Sequence, residues 1–229
     1  MSFSKRMSRI KPSGIRAVQK RIAGKSDMIS FAAGLPDPAL YPLEDLRKAA
    51  DTMLEKEGAT AFAYGLTKGY GPLLDYLTDR MNNREHVECT KENICILSGS
   101  QQGLGLAAMT FLDEGDVVIT ENPSYLGAIN AFRPYGAEFV GVDTDDDGIV
   151  IEDLERALEE NPKTKLIYVI PNFQNPTGKA WTLERRERFM EVVAKYDVAV
   201  VEDNPYGCRT CVHWTRRVRS SIWDLSPRF

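Results

Sequence analysis

From residue 94 onward this chain alternates short apolar runs with helical patterns, and that rhythm constrains its fold more than any other feature. Ile94-Cys95-Ile96-Leu97, Val117-Val118-Ile119-Thr120, residues 138–142, Leu166-Ile167-Tyr168-Val169-Ile170 and residues 198–201 are too short for helices and largely apolar throughout. A strand without polar alternation has both faces buried, as in a parallel sheet covered by helices. Helices are predicted between the runs: residues 101–112, a segment after Pro123, Ile151–Glu160, and residues 182–196. The expected fold class is α/β, a three-layer sandwich around a mostly parallel sheet.

The flanks differ from this middle. Met1 to Lys25 is basic and polar, has no acidic residue and lacks an apolar stretch, so it reads as an amphipathic arm and not as a secretory signal; a mitochondrial presequence is the alternative. Ala33-Gly34-Leu35-Pro36-Asp37-Pro38 is a loop, because its two prolines remove donors and fix φ. Pro42 opens a helical pattern through Leu43, Leu46, Ala49, Ala50, Met53 and Leu54; a second helix runs through Leu73, Leu74, Leu77 and Met81. Residues 208–229 hold five Arg, one Asp and no Lys, and no periodic apolar pattern crosses them. The predicted organisation is an arm and loop over residues 1–40, a sheet domain over 41–207 and a tail foreign to the fold over 208–229.

Charge and cysteine usage narrow the class. The net charge of −4 comes from mixed signs with no clustered basic face, which argues against nucleic-acid binding. No apolar run approaches the ~18 residues of a membrane helix. Four irregularly spaced cysteines fit a reducing compartment, and cytoplasm is the expected location. Cys208, Cys211 and His213 have the spacing of half a zinc site but no fourth ligand follows, so no metal is expected.

Candidate chemistry sits at strand ends. Asp203 follows an apolar run, where a carboxylate needs a cation or protonated nitrogen opposite; capping of the next loop is the other reading. Asn175, in a Pro- and Gly-marked loop, offers an amide to a phenolate-type oxygen or a carboxylate, or simply favours the turn. Tyr206 adds a phenol, and Tyr125 a ring for a planar ligand or for core packing. Ser100 and Gln101 open a helix straight after a strand, where unpaired N–H groups suit a phosphate, or where Ser100 acts as an N-cap.

Taken in order, Gly99-Ser100-Gln101-Gln102, Pro123-Ser124-Tyr125, Asn172-Phe173-Gln174-Asn175-Pro176-Thr177-Gly178 and Glu202-Asp203-Asn204-Pro205-Tyr206 resemble the class I/II aminotransferases, the fold type I pyridoxal-phosphate enzymes. The likeness is greatest to their aromatic, α-aminoadipate and kynurenine branch and runs from about Ile29 to Gly207. It implies the large domain of such an enzyme, incomplete at its C-terminus, and transfer of an amino group from an amino acid to a 2-oxo acid with pyridoxal 5′-phosphate.

The resemblance also implies roles. Ser100 and Gln101 would hold the cofactor phosphate, Tyr125 would stack on the pyridine, Asn175 and Tyr206 would bond its 3-oxygen, and Asp203 would pair with its protonated nitrogen. Gly34 and Asn175 would lie on the substrate side. Tyr64 would reach a partner subunit's phosphate, which implies a homodimer. The family's Schiff-base lysine lies beyond the Asp-x-x-Tyr motif, and no lysine occurs after Lys195. Lys179 does not match that position, while Lys68 and Lys195 read as solvated surface. The expectation is a truncated form, inactive alone, with no catalytic residue assigned. The alternative is a non-catalytic isoform that dimerises with a full-length subunit.

Overall fold

The computed structural model describes residues 2–11, 20–22, 37–206 and 222–224. The chain divides into two compact units, one of Lys11–Thr67 and one of Met1–Ile10 with Lys68–Phe229.

In the smaller unit, Asp37 accepts a hydrogen bond from the Ala39 N–H at 2.9 Å and so caps a single 3-10 turn. Helix α2 (Leu43–Ala61) follows Pro42, which sits at its N-cap, and Glu44 and Asp45 complement the dipole of its first turn. None of its residues is buried, and Leu43, Leu46 and Leu54 are all exposed.

The larger unit begins with the short helix α1 (Lys5–Arg9) and continues through α3 (Gly71–Asn83). Helices α4 (Ser100–Phe111), α5 (Leu126–Phe132), α6 (Ile151–Glu160) and α7 (Leu183–Val193) then alternate with strands β1 (Val117–Asn122), β2 (Glu138–Asp145), β3 (Gly148–Ile149), β4 (Thr164–Val169) and β5 (Ala199–Glu202). The last strand, β6, is Ile222–Asp224.

The sheet order is β3-β2-β1-β4-β5-β6. Every pairing is parallel except the β2–β3 hairpin, so the expected mostly parallel sheet is present. Odd and even strand positions feed different cores, as the period of two requires. Val117, Ile119, Ile167, Val169 and Val200 pack with Leu154, Leu158, Phe189 and Val193 of α6 and α7. Val118, Leu166, Tyr168 and Val201 pack with Leu104, Ala108, Ala128 and Phe132 of α4 and α5. The three layers follow from this alternation.

Two sequence expectations change. Residues 94–97 form no strand; the Ile96 N–H bonds to the Lys68 carbonyl at 2.8 Å, and none of the strands described lies beside the segment. Apolar content alone could not distinguish it from a strand, because strand formation needs a paired neighbour as well as a run of suitable residues. Conversely, the tail expected to hold no regular element supplies β6, which extends the sheet beside β5.

Candidate active site

The strand order reverses between β1 and β4. The chain leaves β1 toward α5 on one face and leaves β4 toward α7 on the other, which opens a crevice at the carboxyl ends of the strands. A cleft of about 170 Å³ lies there, lined by Ser100, Tyr125, Ile170, Asn175, Asp203, Pro205 and Tyr206. Five of the expected site residues therefore meet in one place.

Ser100 is the first helical residue of α4, and the N-cap is Gly99 at φ 97°. That left-handed backbone favours glycine and turns the chain sharply into the helix. The helix start thus has no side-chain cap, and the reading of Ser100 as an N-cap is not what is found. Gln101 is not among the lining residues; its side-chain amide donates to the Gly127 carbonyl at 3.2 Å and ties the first turns of α4 and α5 together.

Tyr125 lies directly over that turn of α5. A β-carbon on Gly127 would sit 2.4 Å from the Tyr125 ring, so the close approach of ring and backbone depends on glycine. Ser124 Oγ beside it is buried with no hydrogen-bond partner among the described residues.

Asp203 extends the β5 ladder through its N–H to the Val169 carbonyl at 2.9 Å, and its side chain is only 5% exposed. Tyr168 Oη, fully buried in β4, donates to Asp203 Oδ2 at 2.7 Å. Burial and the charge of Asp203 both push the Tyr168 phenol far above its usual range, so it remains a donor throughout ordinary pH.

Asn175 lies in a turn closed by the Gln174 N–H to the Lys179 carbonyl at 2.7 Å and by the Gly178 N–H to the Gln174 carbonyl. Phe173 carries φ 49°, an uncommon conformation for a bulky residue, and its ring meets Tyr206 edge-on at 5.6 Å. A buried relay joins this turn to the Asp203 segment: Arg186 donates to Asn172 Oδ1 at 2.8 Å, and Asn172 Nδ2 donates to Asn204 Oδ1 at 3.1 Å.

Tyr64 is exposed in the smaller unit. Gly34, Cys208, Cys211 and His213 lie outside the described residues. Among the described residues no lysine lines the cleft. Lys179 pairs with Asp146 at 2.9 Å, Lys195 with Glu155 at 3.0 Å and Lys68 with Glu92, all at the surface.

Sequence reasoning missed Tyr168, Arg186, Asn172, Asn204 and Glu121. Glu121 carried the signal that singled out Asp203, an acid ending an apolar run, and went unread. Tyr168 gave none, because its hydroxyl is indistinguishable from a packed ring in an apolar strand.

The sequence profile described as aminotransferase class I and II matches residues 26–208. The chain is 41% identical over 209 residues to the aromatic-amino-acid aminotransferase 1 of Thermococcus litoralis, covering 90% of this chain and 50% of that protein. It is 38% identical over 205 residues to the 2-aminoadipate transaminase of Thermus thermophilus, with the same coverage. Among solved structures it is similar to the Pyrococcus horikoshii kynurenine aminotransferase in complex with PMP, with TM-score 0.88 and 34% identity over 98% of this chain and 57% of that one. The chain spans about half the length of the curated relatives it matches. Among the described residues no helix is long and apolar enough to cross a membrane.

Proposed function

The chain belongs to the class I and II aminotransferases, and on that footing we propose that its cleft is the pyridoxal 5′-phosphate pocket of an enzyme that moves an amino group between an amino acid and a 2-oxo acid. The observation that carries the reading is the meeting of Ser100, Tyr125, Asn175, Asp203 and Tyr206 in one crevice.

The donor set suits the group. Ser100 and the N–H groups at the start of α4 receive a phosphate, aided by the dipole of a twelve-residue helix. Tyr125 presents its ring to the pyridine, and Asn175 and Tyr206 donate to the 3-oxygen. Asp203, a nearly buried carboxylate, holds the proton on the ring nitrogen, and Tyr168 keeps that carboxylate oriented. When bound, pyridoxal 5′-phosphate supplies an electron sink for chemistry at the α-carbon of an amino acid. Gln101 acts one step back from the phosphate, by joining the turns that carry Ser100 and Tyr125.

Amino transfer also needs a base to move the α-proton, and no lysine stands at the cleft among the described residues. We therefore read these residues on their own as able to bind the cofactor without rapid turnover. A homodimer, with Tyr64 directed to the partner subunit's phosphate, is consistent with the exposed apolar residues of α2.

Titration with pyridoxal 5′-phosphate, followed by absorbance, tests the reading. Saturable binding that weakens in Asp203→Asn and Ser100→Ala is expected. Binding indifferent to both substitutions, or an adduct that survives dialysis and absorbs visible light, would overturn the corresponding part.

A further inference from the structure

Glu121 is the penultimate residue of β1 and is only 1% exposed. Burying an acid there is costly, yet nothing in the cleft chemistry uses it. Its oxygens face donors from a single segment. Oε2 accepts from the Ile170 N–H at 2.8 Å and Oε1 from the Trp181 indole at 2.9 Å. These donors stand at the start and end of residues 170–181, the stretch that presents Asn175.

Gln174 lies within that stretch. Its Nε2 donates to the Pro123 carbonyl at 2.7 Å, and its Oε1 accepts from the Thr177 N–H at 2.9 Å and the Thr177 hydroxyl at 2.8 Å. An amide hydrogen and both oxygen lone pairs are thus engaged, which sets which end of the amide faces which partner. Pro123 leads into Tyr125, and Thr177 closes the turn after Asn175. One side chain therefore couples the ring on one wall of the cleft to the amide on the other.

We propose that Glu121 is a positioning residue that, by holding both ends of residues 170–181, fixes the turn carrying Asn175, which Gln174 in turn ties to the segment of Tyr125. The coupling stands on hydrogen bonds between chain segments; only the ligand assigned to Asn175 rests on the cofactor reading above.

Glu121→Gln keeps the volume but turns an oxygen into an NH₂ that faces a donor, so one of the anchoring bonds is lost and a like pair is opposed. Hydrogen exchange in the free chain reads the consequence directly. The Thr177 and Gly178 amides are expected to exchange about tenfold faster, while the Val200 and Val201 amides of β5 keep their rates. In parallel, affinity for pyridoxal 5′-phosphate should fall about tenfold. Unchanged exchange at Thr177 and Gly178, or an equal rise in β5, overturns the proposal. Faster turn exchange in a chain whose wild type binds no pyridoxal 5′-phosphate upholds the positioning role and removes the cofactor reading instead. Should Glu121→Gln fail to fold, Glu121→Asp retracts the carboxylate by one methylene, and its failure to raise the same two rates overturns the proposal equally.

Discussion

Tyr168 and Asp203 share one buried hydrogen bond, 2.7 Å long, between adjacent parallel strands at the floor of the cleft. Burial and the neighbouring charge keep the phenol protonated through ordinary pH, so it donates and the carboxylate has an O–H to accept from. Tyr168→Phe keeps the ring and its edge contact with Phe132 while removing that donor. A bond to a charged group contributes about 1.5–3 kcal/mol, so a loss of that order in urea unfolding is expected, with weaker binding of pyridoxal 5′-phosphate. Unaltered stability and binding would show that Asp203 is held by its other neighbours alone.

Gly127→Ala tests the seat of Tyr125. The added methyl would meet the ring at 2.4 Å, so ring or backbone must move. Because the ring lies at the cleft and not in the core, the stability cost should stay near 1 kcal/mol, with a larger proportional effect on ligand binding. A binding titration paired with thermal unfolding separates the two. Equal, small changes in both would mean that the turn absorbs the methyl.

Glu121 also gives the fold a pH dependence. Burial raises its carboxyl from 4.5 to about 7, against the pull of hydrogen bonds from Ile170 and Trp181. The folded chain thus holds a proton that the unfolded chain releases between those values. The contribution is fully present below about pH 4.5 and is lost as pH rises through about 7. Its size is roughly 3 kcal/mol at most. Denaturation midpoints measured from pH 5 to 8 should fall with pH in the wild type and lie flatter in Glu121→Gln.

Arg186 is buried and donates to the Pro171 and Trp181 carbonyls and to Asn172. Arg186→Met fills similar space but removes the bonds donated to these acceptors, and a destabilisation of about 3 kcal/mol is expected. The second expected effect is local: faster exchange across residues 171–181 before global unfolding. Stability within a few tenths of the wild type would show that water replaces the guanidinium.

Much of this architecture was legible in the chain itself. Val117 to Thr120 and Leu166 to Ile170 announce buried parallel strands because no polar residue interrupts them, and Ile151–Glu160 was readable to the residue because its apolar positions recur at helical spacing. The failures have physical causes. Residues 94–97 have strand composition but lie beside none of the strands described, and β6 has a neighbour without strand-like surroundings in sequence. Pairing is a tertiary event, and local pattern does not contain it. At the cleft, residues with a turn or strand-end signature were found, whereas Arg186 on a charged helix and Tyr168 in an apolar strand looked like their neighbours. Their importance lies in partners far away in sequence.

The divergence of the chain after β1 and β4 has a bearing on how such a fold tolerates change. A hollow carved into a packed interior by deleting side chains costs about 24 cal/mol for each cubic ångström. The opening here arises from the route of the backbone, so the layers beneath it remain filled on both faces of the sheet. Residues at its rim can therefore be exchanged for others of different shape or polarity with little penalty to the foundation, and selectivity for new small molecules can drift while the scaffold stands still.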